Sequence, residues 1–235
     1  MEDIDAIAML QDPVRRRLYE YVAAQGREVG RNEAAEAAGV ARTLAAHHLD
    51  RLTEAGLLES GSRRLTGRSG PGAGRPAKVY TRAQAERSVS LPARDYRTAA
   101  ELLAEAAEQA GLDAGLCTAA RRRGEALRGT AAPCGGLEEA MEMLAARGYE
   151  PHVEGVEGAE NVDGVEREAG APAPVVRMRN CPFHAVAERF PPLVCGMNLA
   201  LLEGLLGAGG PVRARMDARP GECCVVVESS KNNVD

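Results

Sequence analysis

The spacing of three short helical patterns constrains the fold of this chain most. Residues 13–24 have apolar side chains at helical spacing, and they begin at Pro13, which suits a first helical turn because it needs no backbone donor there. Two further helices are predicted over 32–38 and 42–55. Gly39 tolerates the left-handed backbone that often ends a helix, so the turn before the third helix is short. The sequence therefore predicts a helix-turn-helix.

A basic hairpin pattern follows the third helix. One strand is predicted after Gly56-Leu57-Leu58 and another over 77–82, and a glycine- and proline-rich loop over 67–76 joins them. Residues 61–85 contain no acid, although the whole chain has a net charge of -5. The basic residues of this stretch are Arg63, Arg64, Arg68, Arg75, Lys78 and Arg82. Three helices and a basic hairpin predict a winged helix-turn-helix that binds the phosphate backbone of DNA.

The third helix is expected to place its outward face in the major groove of DNA. Ala45, His48, Leu49 and Leu52 gather on the opposite, inward side, where His48 is expected to be buried and hydrogen-bonded. The predicted DNA contacts are Arg42, Thr43, Ala46, His47 and Arg51 on the helix, with Arg63, Arg64, Arg68, Arg75 and Lys78 in the wing. The alternatives are an ordinary amphipathic helix and a solvated loop. Neighbouring histidines on a helix point about 100° apart, so we expect no zinc site there.

The rest of the chain predicts a mixed α+β architecture. A helical segment over 95–128 is interrupted at 111–115. Its small and apolar stripe indicates either a dimer helix or an ordinary core face, and comprises Tyr96, Ala99, Leu103, Ala106 and Ala110. Further helices are predicted over 137–147, 182–189 and 193–206, and strands over 175–179, 212–216 and 223–227. We expect a winged helix-turn-helix domain at 1–86, a helical linker or dimerisation segment at 87–130 and a small α+β sensor domain at 131–235.

Cysteines dominate the chemistry of the last quarter of the chain. Cys181, Cys195 and Cys223 each lie beside turn-forming residues on separate predicted elements, and soft thiolates select iron–sulfur clusters, zinc or copper(I). Cys223 and Cys224 are neighbours on a predicted strand, so only one of them is expected to reach a shared site. His184 is the candidate fourth ligand, and Glu168 or an exogenous thiol are alternatives. Cys117 and Cys134 stand alone and are expected to be small apolar residues.

Several segments resemble a known family of regulators. LQDPVRRRL at 10–18 and HLDRLTEAGLL at 48–58 resemble the ArsR-type winged-helix superfamily, and GRPAKVY at 74–80 resembles its SufR-like, iron–sulfur-sensing branch. The C-terminal segments NCPFH, LVCGMNLALLEGLL and PGECCV are similar to the same branch. This resemblance implies a homodimeric repressor of iron–sulfur assembly genes that binds a palindromic operator while Cys181, Cys195 and Cys223 hold a 4Fe-4S or 2Fe-2S cluster. Some members of the family have a fourth well-spaced cysteine, and here none fits.

Other function classes stay open at this point. The acidic start of the chain and the lack of any run of about 18 apolar residues predict a cytoplasmic protein without a membrane partner. A regulator that senses zinc or a small organic ligand is the main alternative. A thiol enzyme would use Cys181 as the nucleophile and His184 as its base, but the sequence offers no orienting acid, so we do not expect an enzyme.

Overall fold

A computed structural model describes residues 2–63, 76–154 and 173–230. Its chain divides into two compact units, residues 1–94 and residues 95–235. In the described residues, none of the helices combines the length and the hydropathy that crossing a bilayer requires.

In the described part of the first unit, four helices pack with a three-stranded antiparallel sheet. Its helices are α1 (Glu2–Ala8), α2 (Pro13–Gln25), α3 (Arg31–Ala38) and α4 (Arg42–Glu54), with a short 3-10 helix at Met9–Gln11. Its strands are β1 (Val29–Gly30), β2 (Leu58–Arg63) and β3 (Ala77–Arg82), in the order β1-β3-β2.

Local sequence signals set the ends of these helices. The Asp12 carboxylate accepts hydrogen bonds from the backbone N–H groups of Val14 at 2.9 Å and Arg15 at 3.0 Å, which caps α2. Gly39 ends α3 at a φ of 64°, and α4 begins three residues later. The predicted turn between these two helices is therefore confirmed.

The wing strands pair as the sequence predicts. Strands β2 and β3 are antiparallel over six residue pairs, from Leu58 opposite Arg82 to Arg63 opposite Ala77. Leu18, Leu49, Leu52 and Tyr80 are fully buried between the helices and the sheet. The predicted loop at 67–76 lies outside the described residues except for Pro76.

The residues described in the second unit form five helices and a four-stranded antiparallel sheet. Its helices are α5 (Tyr96–Gln109), α6 (Asp113–Arg128), α7 (Leu137–Ala145), α8 (His184–Ala187) and α9 (Pro191–Leu206). Its strands are β4 (Pro151–Glu154), β5 (Val175–Met178), β6 (Val212–Met216) and β7 (Val225–Ser229), in the order β4-β5-β7-β6.

Two glycines bring α6 and α9 into backbone contact. A Cβ atom on Gly124 would lie 2.1 Å from the carbonyl oxygen of Leu201, and one on Gly204 would lie 2.2 Å from the carbonyl oxygen of Arg121. Both positions therefore exclude any larger residue while the helices keep this spacing. This contact supports α9, the helix that carries Cys195.

The mixed α+β fold with an N-terminal helix-turn-helix is confirmed, with corrections to single elements. The predicted strand at 223–227 begins only at Val225, so both neighbouring cysteines precede it. The predicted helix at 182–189 is a single turn, His184–Ala187. Helix α1 and the short strands β1 and β4 were not predicted.

The segment 87–130 that the sequence sets apart is shared between the two units. Residues 87–94 fall in the first unit, while α5 and α6 fall in the second. The small and apolar stripe of α5 is exposed within this chain, with Tyr96 at 74% and Leu103 at 72%. An ordinary core face is therefore the wrong interpretation of the stripe among the described residues, since α5 buries Ala104 instead.

Candidate nucleic-acid interface and thiol group

Four cysteines meet in pairs in the second unit. Cys195 of α9 and Cys224 form a disulfide with their Cα atoms 6.4 Å apart, although 29 positions separate them in sequence. Cys181 follows β5, and its thiol interacts with the sulfur of Cys223, which precedes β7. We call Cys181, Cys195, Cys223 and Cys224 the thiol group.

The two thiols of the Cys181–Cys223 pair differ in acidity. The hydrogen bond to Cys223, together with burial, raises the pKa of Cys181 well above its usual range. The same hydrogen bond lowers the pKa of Cys223 to about 7 against the effect of burial, and the backbone N–H of Val225 adds to the lowering. Cys223 is therefore the better thiolate of the pair.

A buried polar chain leads to the Cys223 sulfur. The Asn198 amide donates to this sulfur at 3.4 Å and accepts from the Tyr149 hydroxyl at 2.6 Å. Asn198 is only 1% exposed, on a helix that is otherwise almost entirely apolar where it faces the core. Sequence reasoning did not single out Asn198 or Tyr149, although one polar residue within the apolar run after Cys195 was a usable signal.

The predicted ligands are only partly brought together. Cys181 and Cys223 are in contact, and Cys195 is bonded to Cys224, although only one of Cys223 and Cys224 was expected to reach a shared site. His184 is exposed and its imidazole contacts Glu188 at 3.3 Å, one turn along its own short helix. With Cys195 and Cys224 joined, no group of three or more His, Cys, Asp and Glu side chains among the described residues is placed to hold a metal ion. Glu168 lies outside the described residues.

The two remaining cysteines lie apart from these pairs. The Cys134 thiol is buried and donates to the carbonyl oxygen of Gly136 at 3.3 Å. Cys117 of α6 lies beside the α9 backbone, because a Cβ atom on Gly196 would be 3.7 Å from its sulfur. Both fit the expectation of small residues that pack against their neighbours.

In the first unit, α4 presents an exposed polar face at its N-terminal end. Arg42, Thr43, His47 and Arg51 are exposed and Ala46 is half-buried, while Ala45, Leu49 and Leu52 are buried. The exposed face is small and cationic where a helix that enters the major groove contacts base edges.

A broad groove lies between the start of α3, the start of α4 and the wing strands. It has a volume of about 1340 Å³, and its basic lining residues are Arg27, Arg31, Arg42, Arg63 and Lys78. Some of these cations are already paired, because Arg63 contacts Glu28 at 3.1 Å and Lys78 contacts Asp50 at 2.7 Å. The predicted contacts Arg64, Arg68 and Arg75 lie outside the described residues.

Comparison with known proteins agrees with this geometry. Residues 10–61 match a family of helix-turn-helix domains, a span that runs from the start of α2 through α4 into the first wing strand. This match supports a DNA-binding transcriptional regulator. No curated protein and no solved structure matches the chain.

His48 of the helix-turn-helix differs in one respect from its expected role. It faces inward as predicted, but it is half-buried rather than buried, and its Nδ1 atom is buried without a hydrogen-bond partner. Burial lowers the pKa of His48 and outweighs the opposing charge of Asp12. The expectation of a hydrogen-bonded histidine is therefore wrong at this nitrogen. The His47 and His48 rings lie 5.5 Å apart between their centroids, in a tilted arrangement.

Proposed function

We propose that this protein is a cytoplasmic transcriptional repressor that binds a palindromic operator as a homodimer while its thiol group holds an iron–sulfur cluster, 4Fe-4S or 2Fe-2S. The genes it controls, in this proposal, are those for iron–sulfur assembly, which is what the family resemblance implies. One observation carries the sensor part of the proposal: in the second unit, the neighbouring residues Cys223 and Cys224 each meet a cysteine that is distant in sequence, and the first unit is similar to helix-turn-helix domains.

The donor set fits a cluster in the reduced protein. Iron–sulfur clusters are commonly held by four cysteine thiolates, and three elements of this unit supply four. Because only thiolates ligate, the Cys195–Cys224 disulfide must first take up two electrons and two protons from a dithiol reductant, which is itself oxidised to a disulfide, to yield two free thiols. A disulfide and a bound metal are thus alternative uses of the same two sulfurs.

Cys224 is the fourth ligand in this proposal, in place of His184. The Cys224 sulfur already contacts that of Cys195, whereas the His184 imidazole is exposed beside Glu188. Because Cys223 and Cys224 precede β7, the pleat of the strand does not force their side chains to opposite faces.

The chain's own residues link the site to the fold. Cys181 follows β5, Cys195 lies on α9, and Cys223 and Cys224 precede β7, so ligation would tie three elements to one another. A bound cluster would supply a group that oxidants and iron shortage dismantle, after which these elements are no longer held together. A coupling of about 1–3 kcal/mol between the thiol site and DNA binding would change operator affinity by roughly 5–150-fold.

Dimerisation through α5 supports the palindromic operator. Tyr96, Leu102 and Leu103 are 74%, 61% and 72% exposed within this chain, and the alanines of the same stripe allow a second helix to approach closely. Two copies would present two copies of α4, as binding to two half-sites requires.

Zinc is a second candidate, because four thiolates are also a tetrahedral zinc donor set. Metal content distinguishes zinc from an iron–sulfur cluster.

The test is anaerobic purification of the full chain, followed by measurement of iron, sulfide and zinc per chain, the visible spectrum, and affinity for DNA before and after exposure to air. The proposal expects brown protein with equal iron and sulfide that binds DNA more tightly before exposure. Colourless protein with one zinc per chain would replace the cluster with zinc, and protein with neither metal would remove the sensor.

Three variants test the ligand set. Cys224→Ser is expected to lose most of the bound iron, whereas His184→Ala should keep it. Cys134→Ser is the matched control, because Cys134 is as buried as Cys223 but lies outside the thiol group. Circular dichroism shows whether each variant still folds. Loss of iron in the His184 variant but not in the Cys224 variant would return the fourth position to the imidazole.

A further inference from the structure

We propose that Asp50 of α4 is a positioning residue for DNA binding, which fixes this helix to the wing and to α3 and keeps Lys78 away from DNA phosphates. The inference rests on the DNA binding proposed above. It changes the role of Lys78, which the sequence predicted as a DNA contact.

Three side chains from two other elements converge on the Asp50 carboxylate. The Lys78 ammonium and the Tyr80 hydroxyl of β3 each donate to its Oδ1 atom at 2.7 Å. The Arg31 guanidinium, at the first residue of α3, donates to both carboxylate oxygens at 3.3 Å. Asp50 therefore joins α3, α4 and β3, three elements that border the groove.

Tyr80 completes the network from within the core. Its ring is fully buried, and its hydroxyl accepts a hydrogen bond from the Arg31 guanidinium at 2.9 Å while it donates to Asp50. Burial and the hydrogen bond to Asp50 raise the pKa of Tyr80 to about 12, so this hydroxyl keeps its proton at neutral pH. Arg31 and Lys78 also lie over the ring, at 5.9 Å and 5.3 Å from its centroid. The orientation of the Asp50 carboxylate is thus fixed by a rigid buried group.

Opposite charges on Asp50 and on the cations Lys78 and Arg31 stabilise the network. Burial alone would raise the pKa of Asp50, but the hydrogen bonds from Lys78 and Tyr80 and the charges of Lys78 and Arg31 lower it. Asp50 is therefore ionised at neutral pH and faces two cations. The Asp50 carboxylate lies 2.7 Å from the Lys78 ammonium, so it holds this side chain at the wing and balances its charge. Lys78 therefore contributes to wing geometry rather than to the neutralisation of a phosphate.

The test measures selectivity and salt dependence separately. From a pool with a randomised centre, the wild-type protein selects a duplex, and binding to this duplex and to a scrambled one of equal composition is measured over a range of salt. Asp50→Asn should lower the ratio of the two affinities about fivefold or more, since α4 and the wing lose their common anchor. Tyr80→Phe should lower the ratio in the same direction without any change of charge. Glu20→Gln, an exposed charge change on α2, is the matched control and should leave the ratio unchanged.

Salt dependence tests Lys78 directly. Log affinity falls linearly with log salt concentration, and each side chain that neutralises a phosphate increases the steepness of this slope by about 0.9. Lys78→Met should leave this slope unchanged, whereas Arg42→Gln, at the exposed start of α4, should reduce it by about 0.9. A role in stability alone would weaken both duplexes equally and would not separate these readouts. Melting curves for each variant detect such a loss.

Two results would overturn the inference. One is a slope that falls for Lys78→Met as much as for Arg42→Gln, because Lys78 would then contact a phosphate. The other is an unchanged ratio in Asp50→Asn and Tyr80→Phe. Failure of the wild-type protein to select any duplex would instead remove the proposed function, and this inference with it.

Discussion

The two candidate sites differ in where their chemistry lies. On α4, the polar side chains face outward, and the apolar ones beneath them hold the helix in place. In the thiol group, by contrast, Cys195 and Cys223 are buried, and they meet partners that are 29 or more positions away in sequence. An exposed interface of this kind depends on one helix and its support, whereas a buried thiol group depends on the packing of an entire unit.

The largest effect is expected where α4 rests on its core. Leu49 is fully buried between the helices of the first unit, so Leu49→Ala should lower the free energy of unfolding of that unit by about 3 kcal/mol. Guanidinium denaturation followed by circular dichroism measures this change. DNA affinity should fall with it, because the exposed face of α4 loses its support.

Leu44→Ala provides the control on the same helix. Leu44 is 41% exposed, so its truncation should lower the free energy of unfolding by about 0.5 kcal/mol or less. Equal losses in the two variants would show that α4 is not held by its buried face. The distinction between an exposed interface and its apolar support would then be lost for this unit.

The close approach of α6 and α9 makes the next largest prediction. Gly124→Ala places a methyl group against the α9 backbone, so the helices must separate, and we expect a loss of about 2 kcal/mol. Gly115→Ala, on the same helix, meets no atom within 4 Å and should be neutral or slightly stabilising. Hydrogen exchange measured on peptides from both helices would locate the change.

The packing of α6 against α9 also bears on the thiol group, because α9 carries Cys195. If the thiol group depends on unit-wide packing, Gly124→Ala should also reduce the fraction of Cys195–Cys224 disulfide in air-oxidised protein, as measured by peptide mapping. An unchanged disulfide together with loosened helices would mean that the loop before β7 brings Cys224 to Cys195 by itself.

Local signals explain why the first unit was predictable. The cap at Asp12 and the glycine at position 39 act within a few residues of the elements they end, and the apolar spacing of α4 reports its buried face directly. The Asp50 network was missed for the same reason. Helical spacing places Asp50 on the outward face, and only the fold brings Arg31 and Tyr80 to it.

The second unit could be predicted only in outline. The sequence indicated that separate elements supply the thiols, but which sulfur meets which depends on where β7 begins. The expected strand at 223–227 gave Cys223 and Cys224 opposite directions, whereas in the fold the residues before Val225 form a turn that gives each sulfur a partner. Short strands such as β4 leave too weak a local pattern to be recognised.

The smallest predicted effect concerns His48, the one inward-facing polar residue of α4 whose ring nitrogen is buried without a partner. Its surroundings include Asp12, which favours the charged form, and Arg15 and His47, which oppose it, and burial lowers the pKa of His48 overall.

The unfolded chain therefore binds a proton to His48 more readily than the folded unit does. The stability that His48 contributes is complete above the unfolded pKa of about 6.5 and is lost as pH falls toward the folded pKa. Between pH 7.5 and 5.5, the wild-type protein should lose slightly more free energy of unfolding than His48→Leu does. The difference between the free energies of unfolding of the two proteins at each pH removes the contributions of the other histidines. An NMR titration of the His48 imidazole gives its pKa directly. A difference that grows in favour of the wild-type protein at acid pH would mean that His48 is stabilised in its charged form, and the buried face of α4 would then hold a cation.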